Sequence, residues 1–164
     1  MSHDHFVAVP QNPDSLARAF GEAHRRYTRR RNFAEGVRGY LFQGRFGSCV
    51  LDERHLLATV RYVEMNPVRA GIVNEAWIYS WSSAPFHMEK KEADPLVKDR
   101  TLLGLVKDWS DFLSGSSSAM ESAIRKFSHT GRPAGDASFI DLVERMTARD
   151  LSIGKAGRPV KTKD

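Results

Sequence analysis

Two histidines stand two residues apart at the start of the chain, where His3 and His5 flank Asp4. His5 also opens the run HFVAVP, whose composition predicts a short β-strand. Side chains two apart on a strand point to the same face, so both imidazoles can hold one divalent cation. The alternative is that both histidines belong to a frayed chain end and bind nothing. Their spacing alone leaves both interpretations open.

Tyr62 and Asn66 form a second candidate pair. The segment ERHLLATVRYVEMN has apolar residues at helical spacing, follows the capping residue Asp52 and is expected to end near Met65 or Asn66, before Pro67. Residues four apart on a helix share a face, so a phenol would lie beside an amide oxygen. That geometry suits a nucleophile next to a metal ligand. The alternative is a core tyrosine followed by an asparagine that ends the helix.

A third feature is an arginine-rich segment with a helical pattern, capped by Asp14 or Ser15. We expect its apolar stripe to pack in the core, which would make Tyr27 a structural residue and not a rival nucleophile. Its other faces could follow a DNA backbone through phosphate contacts, or could simply be solvated; the sequence shows little acid nearby, which favours DNA. The stripe is Leu16, Phe20, Ala23 and Tyr27, and the arginines are Arg18, Arg25, Arg26, Arg29, Arg30 and Arg31.

The whole chain is basic, with 25 Lys and Arg against 20 Asp and Glu and a formal net charge of +5 over 164 residues. Such a balance favours a polyanionic partner, nucleic acid first. With no apolar stretch near the length of a spanning helix and no signal-peptide pattern, we expect a soluble, cytoplasmic protein without a membrane partner. The single cysteine, Cys49, has no intrachain disulfide partner and is expected to pack in the core.

The remaining elements suggest three regions. GYLFQGRFGSCVLD, rich in aromatic and β-branched residues, predicts a hairpin or two short strands. The composition turns polar near residues 86–95, which predicts a core at 1–85 and a helical accessory region at 86–153. Within the second region, one helix is expected from Pro95 through Leu113, and others at 119–127 and 137–147. Residues 154–164 are expected to form a basic, mobile tail.

Four segments in order, HFVAVPQNPDSLARAFGEAHRRYTRR, GYLFQGRF, RYVEMNPVRAGIV and YSWSSA, resemble the body of REP-associated tyrosine transposases, which are single-tyrosine HUH transposases related to insertion sequences. TGRPAGDASFIDLVERM and the terminal GRPVK are similar to the C-terminal part of that family. The resemblance implies an α+β fold, a ferredoxin-like antiparallel sheet with helices, and a small C-terminal helical extension. It also implies that the family's first strand and helix are missing ahead of His3.

The same resemblance implies a DNA strand-cleaving and joining enzyme. Tyr62 would be the nucleophile, and His3, His5 and Asn66 would hold Mg²⁺ or Mn²⁺. Attack on single-stranded DNA at hairpin-forming repeats would give a 5′-phosphotyrosine and a free 3′-hydroxyl, a transesterification that can be reversed to join strands. The protein would act as a monomer or homodimer. DNA contacts beyond the arginine-rich helix are expected from Arg45, Arg69, Lys155, Arg158 and Lys161.

A second hypothesis is a catalytically inactive, truncated DNA-binding remnant of such a transposase. It is favoured by Asp4, because the family places a hydrophobic residue between its two histidines. The tail motif Gly157–Arg158–Pro159 is similar to the centre of an AT-hook, though generic electrostatic binding is the alternative. Trp77, Tyr79 and Trp81 can stack on unpaired bases, but alternating aromatic residues around a turn are more typical of packing.

Overall fold

The computed structural model describes residues 4–42, 44, 46–97, 100–115 and 118–151, and this part of the chain is mainly helical. A single-turn 3₁₀ helix spans Ala76–Ile78. The α-helices in order are α1 Ser15–Glu35, α2 Glu53–Glu64, α3 Asn66–Arg69, α4 Ala84–His87, α5 Thr101–Leu105, α6 Trp109–Ser114, α7 Ser118–Thr130 and α8 Ala137–Thr147.

The expected α+β fold with an antiparallel sheet is wrong. Within the described ranges the only β-pairing is an isolated parallel bridge between Leu51 and Ala134. The HFVAVP segment from His5 to Pro10 is irregular, and the described residues of GYLFQGRF form bends and stretches without regular secondary structure. Both segments have strand-like composition, but a strand is stable only when a partner satisfies its backbone groups. None of the described residues of these two segments pairs with a neighbouring strand.

The long helices agree with the sequence pattern. α1 begins at Ser15, α2 begins after Asp52, and α8 spans Ala137–Thr147 as expected. Asp52 caps α2 by accepting a hydrogen bond from the backbone N–H of His55 at 2.7 Å. The single helix expected from Pro95 to Leu113 is instead divided into α5 and α6.

The core is built around α2. On one side Val60 packs with Ala76, Ala84, Trp109 and Leu113. On the other, Ala58 and Tyr62 of α2 pack with Ile124 of α7. α6 therefore shares a core with α2, although α6 lies beyond the boundary expected near residues 86–95. The division of the chain at that boundary stays a prediction.

The apolar stripe of α1 is less buried than its pattern predicts. Phe20 is half-buried, with its ring 5.3 Å from that of Phe6 and 4.8 Å from that of Phe46. Ala23 is exposed, and Tyr27 is 53% exposed, so the expectation that Tyr27 is a core residue is wrong. No residue of α1 is fully buried. An amphipathic pattern shows which face can pack, but packing also requires an element opposite it.

Several expected features lie outside the described residues. These are His3, Arg45 and the basic tail at 154–164, including Lys155, Arg158 and Lys161. No helix among the described ranges is both long and apolar enough to cross a membrane.

Candidate functional site

Tyr62 lies on the face of α2 that packs against α7, and only 9% of it is exposed. The imidazole of His5 meets its ring edge-on, with the ring centroids 6.1 Å apart and the planes inclined at 76°. His5 and Tyr62 are 57 positions apart in the sequence, so the fold brings together two of the residues that the sequence singled out. This pair is the centre of the candidate site.

The guanidinium of Arg69 lies over the ring of this tyrosine. Its guanidinium carbon lies 4.1 Å from the centroid of the Tyr62 ring, within the range of a cation–π contact. Its Nη2 also donates a hydrogen bond of 2.5 Å to the backbone carbonyl of Tyr62. The last four carbonyls of a helix lack helical partners, so Arg69 satisfies one of them at the end of α2. The expected DNA contact Arg69 is therefore engaged in holding Tyr62.

Asn66 follows Tyr62 by four residues, but the two lie on different helices. α2 ends at Glu64, Met65 is its C-cap, and Asn66 is the first residue of the short helix α3. Pro67 at the second position of α3 is compatible with a helix start, where a missing N–H costs nothing. The expected helix end is confirmed, but the chain turns directly into a second helix instead of leaving helical geometry.

The donors that could hold a divalent ion are only partly present among the described residues. Asn66 offers an amide oxygen, the ligand type that Mg²⁺ and Mn²⁺ prefer, whereas the imidazole nitrogen of His5 is a ligand type of softer divalent transition metals. Residues 4–42, 44, 46–97, 100–115 and 118–151 contain no cluster of three or more His, Cys, Asp or Glu side chains that could bind a metal. A complete site would need a further ligand, the role that the resemblance gives to His3.

A buried polar network beside the site was missed by the sequence analysis. Glu64, two residues after Tyr62, is only 1% exposed. Its Oε1 accepts hydrogen bonds from Ser83 Oγ at 2.6 Å and from His87 Nδ1 at 2.5 Å. Its Oε2 accepts one from Trp109 Nε1 at 2.8 Å. A buried carboxylate is tolerated only when such donors compensate for lost hydration, so these contacts fix α4 and α6 against α2.

The signal for this network was present in the sequence. Leu56, Val60 and Glu64 follow one another at intervals of four, so the glutamate falls on the apolar stripe of α2. A charged residue on a packing face predicts either a partner or a function. What the sequence did not indicate was the identity of the donors, because Ser83, His87 and Trp109 come from distant segments.

The arginines of α1 are more neutralised than the sequence suggested. Glu22 forms ion pairs with Arg25 at 2.8 Å and with Arg26 at 2.6 Å. The hydrogen bond from Arg26 has the largest effect on the pKa of the Glu22 carboxyl and lowers it, and the hydrogen bond from Arg25 lowers it further. Asp14 lies 3.7 Å from Arg18, and Glu35 pairs with Arg31. Three acids on or beside the helix thus engage four of its six arginines. The intervals of three and four residues made these pairs predictable.

Two aspartates cap neighbouring helices. The Asp52 side chain lies 2.6 Å from His55 Nδ1, and that of Asp136 accepts from Ser138 Oγ at 2.6 Å and from Phe139 N at 2.9 Å. Burial raises the pKa of Asp52, but hydrogen bonds from His55 outweigh it, so the pKa is lowered. The Ser138 hydroxyl, followed by the Phe139 N–H, lowers the pKa of Asp136. Both carboxylates therefore stabilise helix starts in their ionised form.

The other candidate residues take no part in this cluster. Trp81 is 86% exposed, whereas Trp77 is half-buried with the Lys90 ammonium 5.7 Å from its ring centroid. Cys49 is half-buried, and burial raises the pKa of its thiol, which disfavours the reactive thiolate.

Comparison of the chain with protein-family models, with curated proteins and with solved structures finds no match.

Proposed function

We propose that this protein binds single-stranded DNA and cleaves and rejoins it through Tyr62. The observation that carries the proposal is the contact between His5 and Tyr62, since the fold places an imidazole against the one tyrosine that the motif RYVEMNPVRAG singles out. Arg69 adds a fixed positive charge at the same ring.

In the proposed reaction the Tyr62 oxygen attacks a backbone phosphorus of the bound strand. The bond from that oxygen to phosphorus forms as the bond from phosphorus to the 3′-oxygen breaks. Tyr62 gives up its phenolic proton, and the departing 3′-oxygen gains one. The product is a 5′-phosphotyrosine, which a 3′-hydroxyl can attack in turn to restore a phosphodiester. Because one phosphoester replaces another, the step can be reversed without ATP.

The resemblance implies that Mg²⁺ or Mn²⁺ takes part, and His5 and Asn66 would be two of its ligands. When bound, such an ion would polarise the scissile phosphate. The role of the chain is then to hold these donors beside Tyr62. α2 and α3 fix Tyr62 and Asn66, and the hydrogen bond from Arg69 to the Tyr62 carbonyl keeps the junction between these helices in one geometry.

A second candidate is a DNA-binding protein that does not cleave. It is favoured by the burial of Tyr62, which is only 9% exposed and has Arg69 across its ring, because a nucleophile must reach the phosphate. Under this alternative His5, Tyr62 and Arg69 are a packing cluster.

A trapping experiment separates the two candidates. The chain is incubated with Mn²⁺ and a labelled single-stranded hairpin oligonucleotide, and covalent adducts are resolved on a denaturing gel. We expect an adduct that Tyr62→Phe abolishes and that Tyr27→Phe, the matched control on α1, leaves intact. An adduct lost in Tyr27→Phe but kept in Tyr62→Phe would overturn the assignment. DNA binding without any adduct would favour the non-cleaving protein.

A further inference from the structure

A second surface, far from Tyr62 in sequence, has the chemistry of a nucleic-acid site. The C-terminal half of α1 and the described residues that follow it, 36–42 and 44, line an open groove of about 810 Å³. α1 ends at Gly36, whose φ of 66° lies in the left-handed region that glycine adopts without strain. The Asn32 side-chain amide then donates a hydrogen bond of 2.9 Å to the Gly39 carbonyl, which folds the segment back along the helix.

The groove is positively charged. Arg25, Arg29 and Phe33 lie at intervals of four on α1 and therefore share a face, and all three line the groove. Arg38 lines it from the folded-back segment. Among the described residues that line it there is no aspartate or glutamate. Although Glu22 neutralises part of the charge of Arg25, it is not a lining residue. The occupant that complements this surface is an anion.

The groove also exposes aromatic rings. Phe33 is 91% exposed and Tyr40 98% exposed, one from each wall. Phe42 is held differently, stacked on His24 with the ring centroids 3.8 Å apart and the planes at 9°. Two exposed rings in one groove, flanked by charged residues, are typical of a surface that binds a partner. Rings flanked by cations are the combination that binds unpaired bases and the phosphates between them.

We propose that this groove binds single-stranded DNA, with bases stacked on Phe33 and Tyr40 and phosphates held by Arg29 and Arg38. The choice of DNA rests on the proposed function, whereas the preference for an unpaired strand rests on the groove itself. A duplex keeps its bases stacked on each other and offers only its phosphates, so the exposed rings would add nothing to its binding. The groove would hold one part of the DNA strand while another part of the same strand lies at Tyr62.

Binding is measured by fluorescence anisotropy with labelled oligo-dT and EDTA, so that no strand cleavage is possible. We expect Tyr40→Ala to weaken binding about 5- to 150-fold, the range for loss of one stacked base, and Tyr40→Phe to restore most of it because stacking needs only the ring. Leu96→Ala, which removes an exposed apolar side chain outside the groove, should leave affinity unchanged. Thermal melting followed by circular dichroism verifies that each variant folds.

The salt dependence tests the arginines. Arg38→Ala should lower the slope of log affinity against log salt by about 0.7, the contribution of one phosphate contact on a single strand. Arg54→Ala, which removes an exposed arginine from α2, is the matched control and should not change it.

Four outcomes would overturn the proposal. They are unchanged affinity in Tyr40→Ala, a loss in Leu96→Ala as large as in Tyr40→Ala, an equal effect of Tyr40→Ala on duplex DNA, and oligo-rU binding tighter than oligo-dT. The test of DNA binding in the groove is independent of the test of strand cleavage by Tyr62. If no adduct ever forms but Tyr40→Ala weakens oligo-dT binding, DNA binding in the groove is supported and strand cleavage by Tyr62 is contradicted. If adducts form and Tyr40→Ala binds normally, strand cleavage is supported and DNA binding in the groove is contradicted.

Discussion

The indole Nε1 of Trp109 donates a hydrogen bond of 2.8 Å to the carboxylate of Glu64, and so joins α6 to the helix that carries Tyr62. The connection is reinforced at the surface, where Arg61 Nη1 donates to the Gly115 carbonyl at 2.9 Å and the guanidinium lies over the Phe112 ring. The accessory helix α6 thus supports the candidate site without contributing a residue to it.

Replacing Trp109 with phenylalanine should destabilise the protein, because it leaves a buried carboxylate oxygen without its donor. We expect a loss of about 1–3 kcal/mol in the free energy of unfolding, measured by urea denaturation. Trp81→Phe, the same substitution at an exposed position, should change the free energy by less than about 0.5 kcal/mol. Equal stability of the two variants would show that the hydrogen bond to Glu64 contributes nothing.

Replacing Arg69 should disturb Tyr62. Arg69→Ala removes both the cation–π contact and the hydrogen bond to the Tyr62 carbonyl, and we expect it to cost about 1–2 kcal/mol. Arg69→Lys keeps a positive charge but loses the planar fork of donors, so its cost should be intermediate. Tyrosine fluorescence is obscured by the three tryptophans, so the measurement is urea unfolding together with the yield of adduct. A stability equal to wild type in Arg69→Ala would contradict the structural role of this residue.

Removing Glu22 should strengthen DNA binding. Glu22→Gln releases Arg25 and Arg26 from their ion pairs, so we expect affinity for single-stranded DNA to rise severalfold at low salt and the salt dependence to steepen. Glu53→Gln removes the same charge from the start of α2 and controls for the change in net charge. If both variants bind with the same affinity, the arginines of α1 do not contact DNA.

Acid should weaken the starts of α2 and α8. Because hydrogen bonds hold the pKa values of Asp52 and Asp136 below the ordinary value of about 3.9, both contribute stability above that pH and lose it as the pH falls through their lowered values. Urea midpoints measured from pH 6 down to pH 2.5 should therefore decrease, and less steeply in the double variant Asp52→Asn, Asp136→Asn. An identical pH dependence in wild type and variant would contradict the role of these carboxylates.

Local signals were sufficient to predict several helices. α2 and α8 each begin directly after an aspartate whose side chain caps the helix, and Gly36 ends α1 in the left-handed conformation. These signals depend on residues close by in the sequence, so they do not depend on how distant segments pack. Of the candidate site, the sequence singled out His5 and Tyr62, which the fold brings together, while His3 lies outside the described residues.

Strand formation and side-chain burial both require a partner segment to pack against, and the sequence predicted them less well than it predicted the helices. Among the described residues the HFVAVP segment has strand-like composition but no partner strand, and Tyr27 lies on an apolar stripe that is only partly covered, so it stays 53% exposed. The sequence by itself determined the helical periodicity, the Asp52 cap of α2 and the excess of positive charge, since each follows from residue types at short range; the cap expected at Asp14 or Ser15 makes no side-chain hydrogen bond to α1. Only the tertiary structure decided that His5 meets Tyr62, and that Ser83, His87 and Trp109 converge on Glu64, because these contacts join segments whose approach no local interaction specifies.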